Sequence, residues 1–435
     1  MPKNRKFPRN PLSGGFFFAW FLSSPPACRR HRKGVATKWA GVRGFPEGFE
    51  LVRRWGGSKS RVREITRQVP VPPPSLLRFL SPPARMFLSR KAKGFFISLN
   101  EHGIQIARTS SPAAPFTVEE LRECPAGDAA ARDAMLKQVQ AGRSAGGYLP
   151  AVVGAHPARR LVRRHTIEPK RAKDAGYLTE VCAQQFRVEA DTYALAVISA
   201  ADGSEFDPAV ASVKDVIFCG LPSDDVVSIQ DELLEAGIYP QRLELGSVAL
   251  LGGLADCLSQ ARARTPVLLV EVGADTTHSF IVTASGVEAS RPIAHGHAAM
   301  VPIVQKELGL KDEEAARKLL LSNTFDFSGL GPALLKRLVG DLQSSIGFYE
   351  VQTGQSVGQV LTSQLPGPLA WLQGALTSSL GIPAFRPDPL PWLASRQITV
   401  PDALAATARD PRWFGLLSLM VQTNAADAVL APEKK

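Results

Sequence analysis

The clearest hydrophobic pattern in the chain begins at residue 267. A continuous apolar run over residues 267–272, broken only by Glu271, is followed by a polar turn over residues 273–277. A second β-rich run covers residues 278–283, and after a further turn a third short run begins at Val287. Apolar, β-branched runs separated by Gly, Asp and Ser predict a meander of antiparallel strands.

The first turn of this meander has the composition of an anion-binding hairpin. Gly273 permits close approach of the backbone, while Thr276 and Thr277 add hydroxyl groups beside backbone N–H groups that could surround an anion. The same pattern also fits an ordinary hairpin in a core sheet. On its own, this stretch leaves both interpretations open.

Hydrophobic periodicity elsewhere predicts an α/β fold. Residues 94–99 and 104–108 are predicted to form a hairpin, and residues 116–140 a helix whose start at Thr117 resembles a capping box. Further strands are predicted at 148–153, 193–198, 216–221, 240–245 and 357–361, and further helices at 224–236, 247–260, 299–308, 312–321, 332–349, 369–380 and 411–421. A hairpin followed by helix–strand units occurs twice, which predicts a duplicated fold with its ligand site between the halves.

The net charge of +11 is unevenly distributed. Residues 1–85 contain 18 Lys and Arg against 3 Asp and Glu, whereas residues 86–435 contain 33 basic and 37 acidic residues. The basic character therefore belongs to the amino-terminal tail, and the predicted folded part gives no support for binding nucleic acid.

Residues 1–85 are rich in Pro, Gly, Arg and Lys and show no sustained period, so we expect them to be a disordered basic tail. The apolar stretch over residues 14–22 follows a basic start and resembles the core of a targeting segment, which is one interpretation. The other, which we favour, is that translation begins at Met86 and that residues 1–85 are not part of the native protein.

The five cysteines are scattered and none lies in a CxxC pair, which argues against both a disulfide framework and a zinc site and suits a reducing compartment. The seven histidines are dispersed as well. We interpret His295 and His297 as turn residues and predict no metal ligands. The cluster of Arg159, Arg160, Arg163 and Arg164 is interpreted as a solvated edge.

Four features carry a resemblance to a known family. They are the opening hairpin with its basic leader over residues 86–108, the helix-to-strand run over 224–250, the segment 270–277 followed by 291–297, and the helices from 306 to 349. In this order and spacing, the chain from Met86 to its end resembles the PilM family of bacterial type IV pilus assembly proteins. That family is actin-like and related to the cell-division protein FtsA.

The resemblance implies an actin-like (ribonuclease H-like) α/β fold with two duplicated lobes and a small inserted α/β subdomain. The implied division of the chain is lobe 1 at 86–154, an inserted subdomain at 155–235, a return to lobe 1 at 236–264, lobe 2 at 265–400, and a C-terminal helix and tail at 401–435.

The resemblance also implies where a nucleotide would bind. In the opening hairpin, the family's metal-holding acid falls at Ser98, which carries no charge, and the turn glycine falls at Asn100. A serine cannot supply the carboxylate oxygens that Mg²⁺ prefers. The glycine-rich loop that packs the adenosine is replaced by residues 361–367, which contain a single glycine.

The second hairpin is better preserved. Gly273, Thr276 and Thr277 match the family pattern, while Glu271 stands where the family usually has Asp. Together with Ser98, these residues are predicted to form a vestigial nucleotide site. We therefore expect weak or absent binding of ATP and Mg²⁺, no catalytic residues and no useful hydrolysis, as in a pseudo-ATPase.

Without ATP hydrolysis, the function that the resemblance implies is that of an adaptor. PilM-like proteins lie on the cytoplasmic face of the inner membrane and capture the amino-terminal tail of a membrane protein, PilN, in a groove of the first half. They couple it to the assembly apparatus. Residues 86–435 contain no apolar stretch long enough to span a bilayer, so attachment to the membrane would come through that partner.

Two alternatives are open. One is a working actin-like ATPase or small-molecule kinase, which would need Glu271 or Asp275 to supply the charge that Ser98 lacks. The other is a GspL-like component of type II secretion, although such chains continue into a membrane helix and this sequence ends in a polar stretch at residues 431–435.

Overall fold

The computed structural model describes residues 92–139, 147–174, 176–208, 213–322, 324–363 and 365–430, with side chains described as far as residue 424. The predictions made for residues 1–85 and for a start at Met86 lie outside the described residues.

Strands and helices alternate along this part of the chain. The strands are β1 (Gly94–Asn100), β2 (Gly103–Thr109), β3 (Phe116–Pro125), β4 (Leu149–Ala155), β5 (Leu161–Thr166), β6 (Tyr193–Ser199), β7 (Asp215–Pro222), β8 (Ile238–Leu245), β9 (Val267–Val272), β10 (Thr277–Thr283), β11 (Gly286–Ile293), β12 (Gln359–Ser363) and β13 (Ile398–Thr399). The helices are α1 (Ala129–Val139), α2 (Tyr177–Val181), α3 (Ser223–Glu235), α4 (Gly246–Gln260), α5 (Val301–Glu307), α6 (Glu313–Leu320), α7 (Gly331–Thr353), α8 (Trp371–Leu380), α9 (Pro389–Ser395), α10 (Asp402–Ala408) and α11 (Phe414–Leu430).

The first sheet has six strands in the order β13-β3-β2-β1-β4-β8. β1 and β2 form the predicted hairpin, and β1 is also parallel to β4, which is parallel to β8. Helices α4 and α11 pack closely against each other, because a Cβ added at Gly253 of α4 would come within 2.2 Å of Ser418 Oγ on α11. The largest hydrophobic core lies around this sheet and this helix pair.

The second sheet has the order β11-β10-β9-β12. β9, β10 and β11 form the predicted antiparallel meander, and β12 pairs with β9 in parallel. The long helix α7 buries an apolar stripe that includes Leu335, Leu338 and Leu342 in a separate core against this sheet.

A third, smaller antiparallel sheet has the order β5-β7-β6 and its own core, which includes Tyr177 and Phe218. It contacts the second sheet, since Ser290 Oγ of β11 accepts a 2.7 Å hydrogen bond from the backbone N–H of Arg164 in β5. The basic cluster of the sequence analysis therefore lies on and beside a strand that we did not predict.

The helix predicted over residues 116–140 is wrong in its first half, since residues 116–125 form β3 and only residues 129–139 are helical. The acids that resembled a capping box are paired across strands instead. Arg108 of β2 contacts Glu119 and Glu120 of β3 at 3.3 and 3.1 Å. Buried Phe116 and Val118 alternate with partly exposed Thr117, which is the period of a strand.

Within the described part of the chain, no helix is both long and apolar enough to cross a membrane. The four cysteines described there are buried with free thiols. Burial raises the thiol pKa of Cys182 to about 11 and that of Cys257 to about 12, so these residues are poor nucleophiles.

Candidate functional site

A cleft lies between the turn that joins β1 to β2 and the turn that joins β9 to β10. Asn100, Glu101 and His102 line it on the first side, residues 271–276 line it on the second, and Arg160 closes it from within. Its cavity volume is about 40 Å³. Since one water molecule needs roughly 10–15 Å³ by this measure, the cleft has room for about three waters and is much too small for a nucleotide.

Glu271 is the central charge of the cleft, and its side chain is already engaged. It is fully buried on β9. Arg160 Nη2 donates a 3.0 Å hydrogen bond to Glu271 Oε2, and Ser247 Oγ donates to the same oxygen at 2.7 Å. His156 Nδ1 lies 3.7 Å from Oε1. Burial raises the pKa of Glu271, but the Arg160 guanidinium and His156 outweigh it, so the pKa is well below its usual range.

The groups around Glu271 lie in α4 and in the loop between β4 and β5, and they are held in place locally. Ser247 lies in the first turn of α4. The preceding residue must be small, because a Cβ on Gly246 would lie 2.0 Å from His156 Nε2. Arg160 precedes β5, and its Nη1 donates to the carbonyl of Pro157 at 3.0 Å. The carboxylate is therefore bound by a preformed pocket of protein groups and not by solvent.

Arg160 corrects one interpretation of the sequence. The basic cluster was interpreted as a solvated edge, which suits Arg159, whose side chain is 62% exposed and pairs with Asp225. The side chain of Arg160 is only 6% exposed and forms an ion pair with Glu271. No local sequence pattern indicates this pair, because its two members are 111 residues apart.

The first hairpin satisfies its own backbone donors. Asn100 Oδ1 accepts hydrogen bonds from the N–H groups of His102 and Gly103, both at 2.9 Å. Donors in a turn of this kind are the groups that would otherwise surround a phosphate. Ser98 is buried in β1, opposite Gln105 and Gly154, and is not among the residues that line the cleft in the described part of the chain.

The second hairpin is covered by the segment that follows β11. Gly273 N–H donates to Thr276 O at 3.1 Å, and the N–H of His297 donates to Gly273 O at 3.0 Å. Thr277 Oγ1 donates to the carbonyl of His295 at 2.7 Å. A Cβ on Gly296 would lie 2.2 Å from Ala274 O, so only glycine lets this segment lie flat on the turn.

The structure thus brings part of the predicted site together. Glu271, Gly273 and Thr276 line one cleft, and Thr277 supports it from behind, while Ser98 does not reach it. Their role as remnants of a nucleotide site stays a prediction. Sequence reasoning missed three groups that contact Glu271, which are His156, Arg160 and Ser247.

Sequence reasoning also missed a cluster of three titratable side chains at the rim of the cleft. His102 Nε2 and His297 Nε2 lie 3.3 and 3.6 Å from Glu101 Oε1, and the centroids of the two imidazole rings are 5.3 Å apart. Burial raises the pKa of Glu101, but the two imidazoles lower it more, so the pKa lies well below its usual range and the carboxylate is charged. His297, interpreted from sequence as a turn residue, thus faces two titratable groups of the first hairpin.

No protein-family model matches this sequence. No curated protein matches it either. Solved structures do match. One is a chain of a PilM-PilN type IV pilus biogenesis complex, with 16% identity and a TM-score of 0.55, covering 77% of this chain and 99% of that one.

Two further matches have lower TM-scores. The ethanolamine utilization protein EutJ from Carboxydothermus hydrogenoformans is 10% identical with a TM-score of 0.36, covering 76% of this chain and 89% of its own. MreB 5 of Spiroplasma citri, bound to AMPPNP, is 9% identical with a TM-score of 0.32, covering 78% and 97%.

The chain has an actin-like, two-lobed α/β fold, as the sequence predicted. Within that class, its fold is similar to that of the chain from the PilM-PilN complex, which confirms the resemblance to PilM at the level of the fold.

Proposed function

We propose that this protein is a cytoplasmic adaptor of a type IV pilus or of a related secretion machine. It binds the amino-terminal tail of a PilN-like inner-membrane protein and couples that partner to other assembly proteins at the membrane surface, without hydrolysing ATP. The observation that carries the proposal is the buried ion pair of Arg160 and Glu271, which lies in the cleft where the resemblance implies a nucleotide site.

Three features of the cleft argue against a working ATPase. Glu271 is fully buried, and its Oε2 accepts hydrogen bonds from Arg160 and Ser247, so a metal ion would have to compete with the guanidinium for this carboxylate. The backbone donors of the first hairpin are bound by Asn100. Asp275 also borders the cleft, but it is exposed in the turn, and the cavity beside it holds only a few waters.

We expect calorimetric titration with Mg-ATP to detect no binding tighter than about 1 mM, which corresponds to about −4 kcal/mol. The reason is that a nucleotide would have to displace a buried guanidinium from a buried carboxylate. An actin-like ATPase with a known nucleotide affinity, titrated in the same buffer, is the positive control. A dissociation constant near 1 μM, about −8 kcal/mol, would contradict the proposal, as would a crystal with a metal ion and a triphosphate ordered between Ser98 and Gly273.

A groove at the edge of the first sheet supports the binding of a tail. It has a volume of about 290 Å³ and lies between the loop that follows β3 and the C-terminal end of α3. Apolar walls come from Leu99, Ile104 and Ile238, and charged residues, which include Asp128 and Glu232, lie along it. An extended peptide docked in such a groove places apolar side chains in the pocket and polar groups at the rim.

The tail of the PilN-like partner is the occupant that we propose. The chain with the similar fold was solved in a complex between PilM and PilN. The groove is separate from the filled cleft in its lining except at Asn100, so a tail could bind while the Arg160–Glu271 pair stays intact.

Substituting Ala236→Arg in the groove is expected to weaken tail binding at least about tenfold, because a long charged side chain would occupy the apolar space. The measurement is fluorescence anisotropy with a labelled peptide that copies the amino-terminal tail of a PilN-like protein from the same organism. Ala261→Arg is the matched control, since Ala236 ends α3 and Ala261 ends α4 with nearly the same backbone angles. Equal affinity of the two variants would place the tail elsewhere, and no binding to the parent protein would refute the adaptor role.

A further inference from the structure

We propose that Glu101, His102 and His297 bind a Zn²⁺ ion that ties the first hairpin to the segment after the second sheet. The ligand atoms are Glu101 Oε1, His102 Nε2 and His297 Nε2, all within 4.8 Å of one another. A water molecule from the adjoining cleft is the fourth ligand. The site is independent of the proposed function, because neither tail binding nor the loss of ATP binding enters the argument.

The two distances from Glu101 Oε1 suit a tetrahedral ion, and the two histidine nitrogens lie within 4.8 Å of each other. Zn²⁺ binds imidazole nitrogen and carboxylate oxygen at about 2.0–2.2 Å, so two ligands of a tetrahedral site lie about 3.3 Å apart. The observed separations from Glu101 Oε1 are 3.3 Å to His102 Nε2 and 3.6 Å to His297 Nε2. Cis ligands of an octahedral Mg²⁺ would be closer, at about 3.0 Å, and Mg²⁺ prefers oxygen ligands.

Burial supplies a second, independent argument. The side chain of His297 is only 7% exposed. The Nε2 atoms of His297 and His102 are both buried, and neither has a hydrogen-bond partner among the described residues. A buried nitrogen without a hydrogen-bond partner lowers the stability of the fold. A metal ion bound by both nitrogens and by the charged carboxylate would remove that cost.

The backbone holds both sides of the site in position. Asn100 Oδ1 accepts from the N–H of His102, which fixes the turn that carries Glu101 and His102. The N–H of His297 donates to Gly273 O, and Gly296 allows the close contact that this bond requires. The ligands therefore need little reorganisation, and that favours metal affinity.

The chemistry of the donor set selects the ion. Two imidazoles and one carboxylate with an open fourth position form the ligand set of zinc sites in which water completes the tetrahedron. The cleft that Glu101 and His102 line has a volume of about 40 Å³, enough for about three waters. The competing explanation is an ion pair between Glu101 and a protonated histidine, with no metal.

The test uses the full chain after treatment with a chelator and gel filtration. Zn²⁺ is added, unbound metal is removed, and metal per chain is measured by mass spectrometry, with affinity obtained by competition against a zinc dye. We expect one Zn²⁺ per chain, an unfolding midpoint that rises with Zn²⁺, and no effect of Mg²⁺. His297→Gln is expected to weaken binding at least about 100-fold, since removing even an outer-shell partner costs about 10–100-fold.

His165→Gln is the matched control. His165 lies on β5, where its ring packs edge-on against Phe186 and Phe218, away from the three ligands. It should keep the parent's zinc affinity. Equal loss in both variants, or equal retention, would overturn the proposal and leave the three side chains as an ion pair.

Glu101→Gln is a second ligand variant for the case in which His297→Gln does not fold. It is expected to fold, because the side chain of Glu101 is 33% exposed and lies in a turn. If no variant folds, Co²⁺ added to the parent protein decides. Tetrahedral visible absorption that Zn²⁺ displaces supports the site, and its absence overturns it.

Discussion

Replacing Arg160 by methionine is expected to lower the free energy of unfolding by about 3–5 kcal/mol, because the substitution leaves the Glu271 carboxylate buried without its cation. Methionine fills much of the space of the arginine stem, so lost charge, and not an added cavity, dominates the result. The measurement is urea-induced unfolding followed by circular dichroism, with the folded parent and variant compared at the same pH.

Arg159→Met is the matched control for Arg160→Met. It removes a neighbouring arginine from an exposed pair with Asp225, and an exposed pair contributes little to stability. The double variant Arg160→Met, Glu271→Gln should recover part of the loss, since both charges are then gone. If Arg160→Met unfolds at the same urea concentration as Arg159→Met, then the buried pair does not stabilise the fold.

Replacing Gly296 by alanine is expected to lower the free energy of unfolding by about 3 kcal/mol, the upper end of the usual cost of overpacking. The backbone angles of Gly296, φ −118° and ψ −170°, suit any residue. The cost comes from space alone, because the new Cβ would lie 2.2 Å from Ala274 O and 2.3 Å from Gly273 O. Thermal and urea unfolding of the purified variant measure it.

Gly347→Ala is the control for Gly296→Ala. Gly347 lies inside α7, and a Cβ there meets no atom within 4 Å. Alanine favours a helix interior over glycine by roughly 0.5–1 kcal/mol, so this variant should be slightly more stable than the parent. A stable Gly296→Ala variant would show that residues 295–298 can move away from the hairpin.

Local pattern was enough to predict most of the fold. The meander over β9, β10 and β11 was predictable because buried, β-branched runs end at short polar turns. The error over β3 has a tertiary cause, since Glu119 and Glu120 pair with Arg108 of the neighbouring strand and not with a helix start. The domain boundaries that the resemblance implied stay a prediction.

The site was less predictable, because its decisive contacts join distant parts of the chain. Glu271, Gly273 and Thr276 stood out as a turn with anion-binding composition. Nothing near them in sequence indicates that Arg160 and Ser247 bind the carboxylate, or that His297 faces Glu101. To predict that Arg160 is buried, one would have to know that β4 and β9 lie in sheets that meet at this cleft.

The position of Arg160 also has a mechanical consequence. Arg160 lies in the short segment between β4 of the first sheet and β5 of the third sheet. Its guanidinium donates a hydrogen bond to Glu271 on β9 of the second sheet, so it connects segments next to all three sheets. Separating these segments would leave the Glu271 carboxylate buried without its cation, which costs several kcal/mol of free energy. We therefore expect the second sheet to move together with the segment between β4 and β5 and not independently of it.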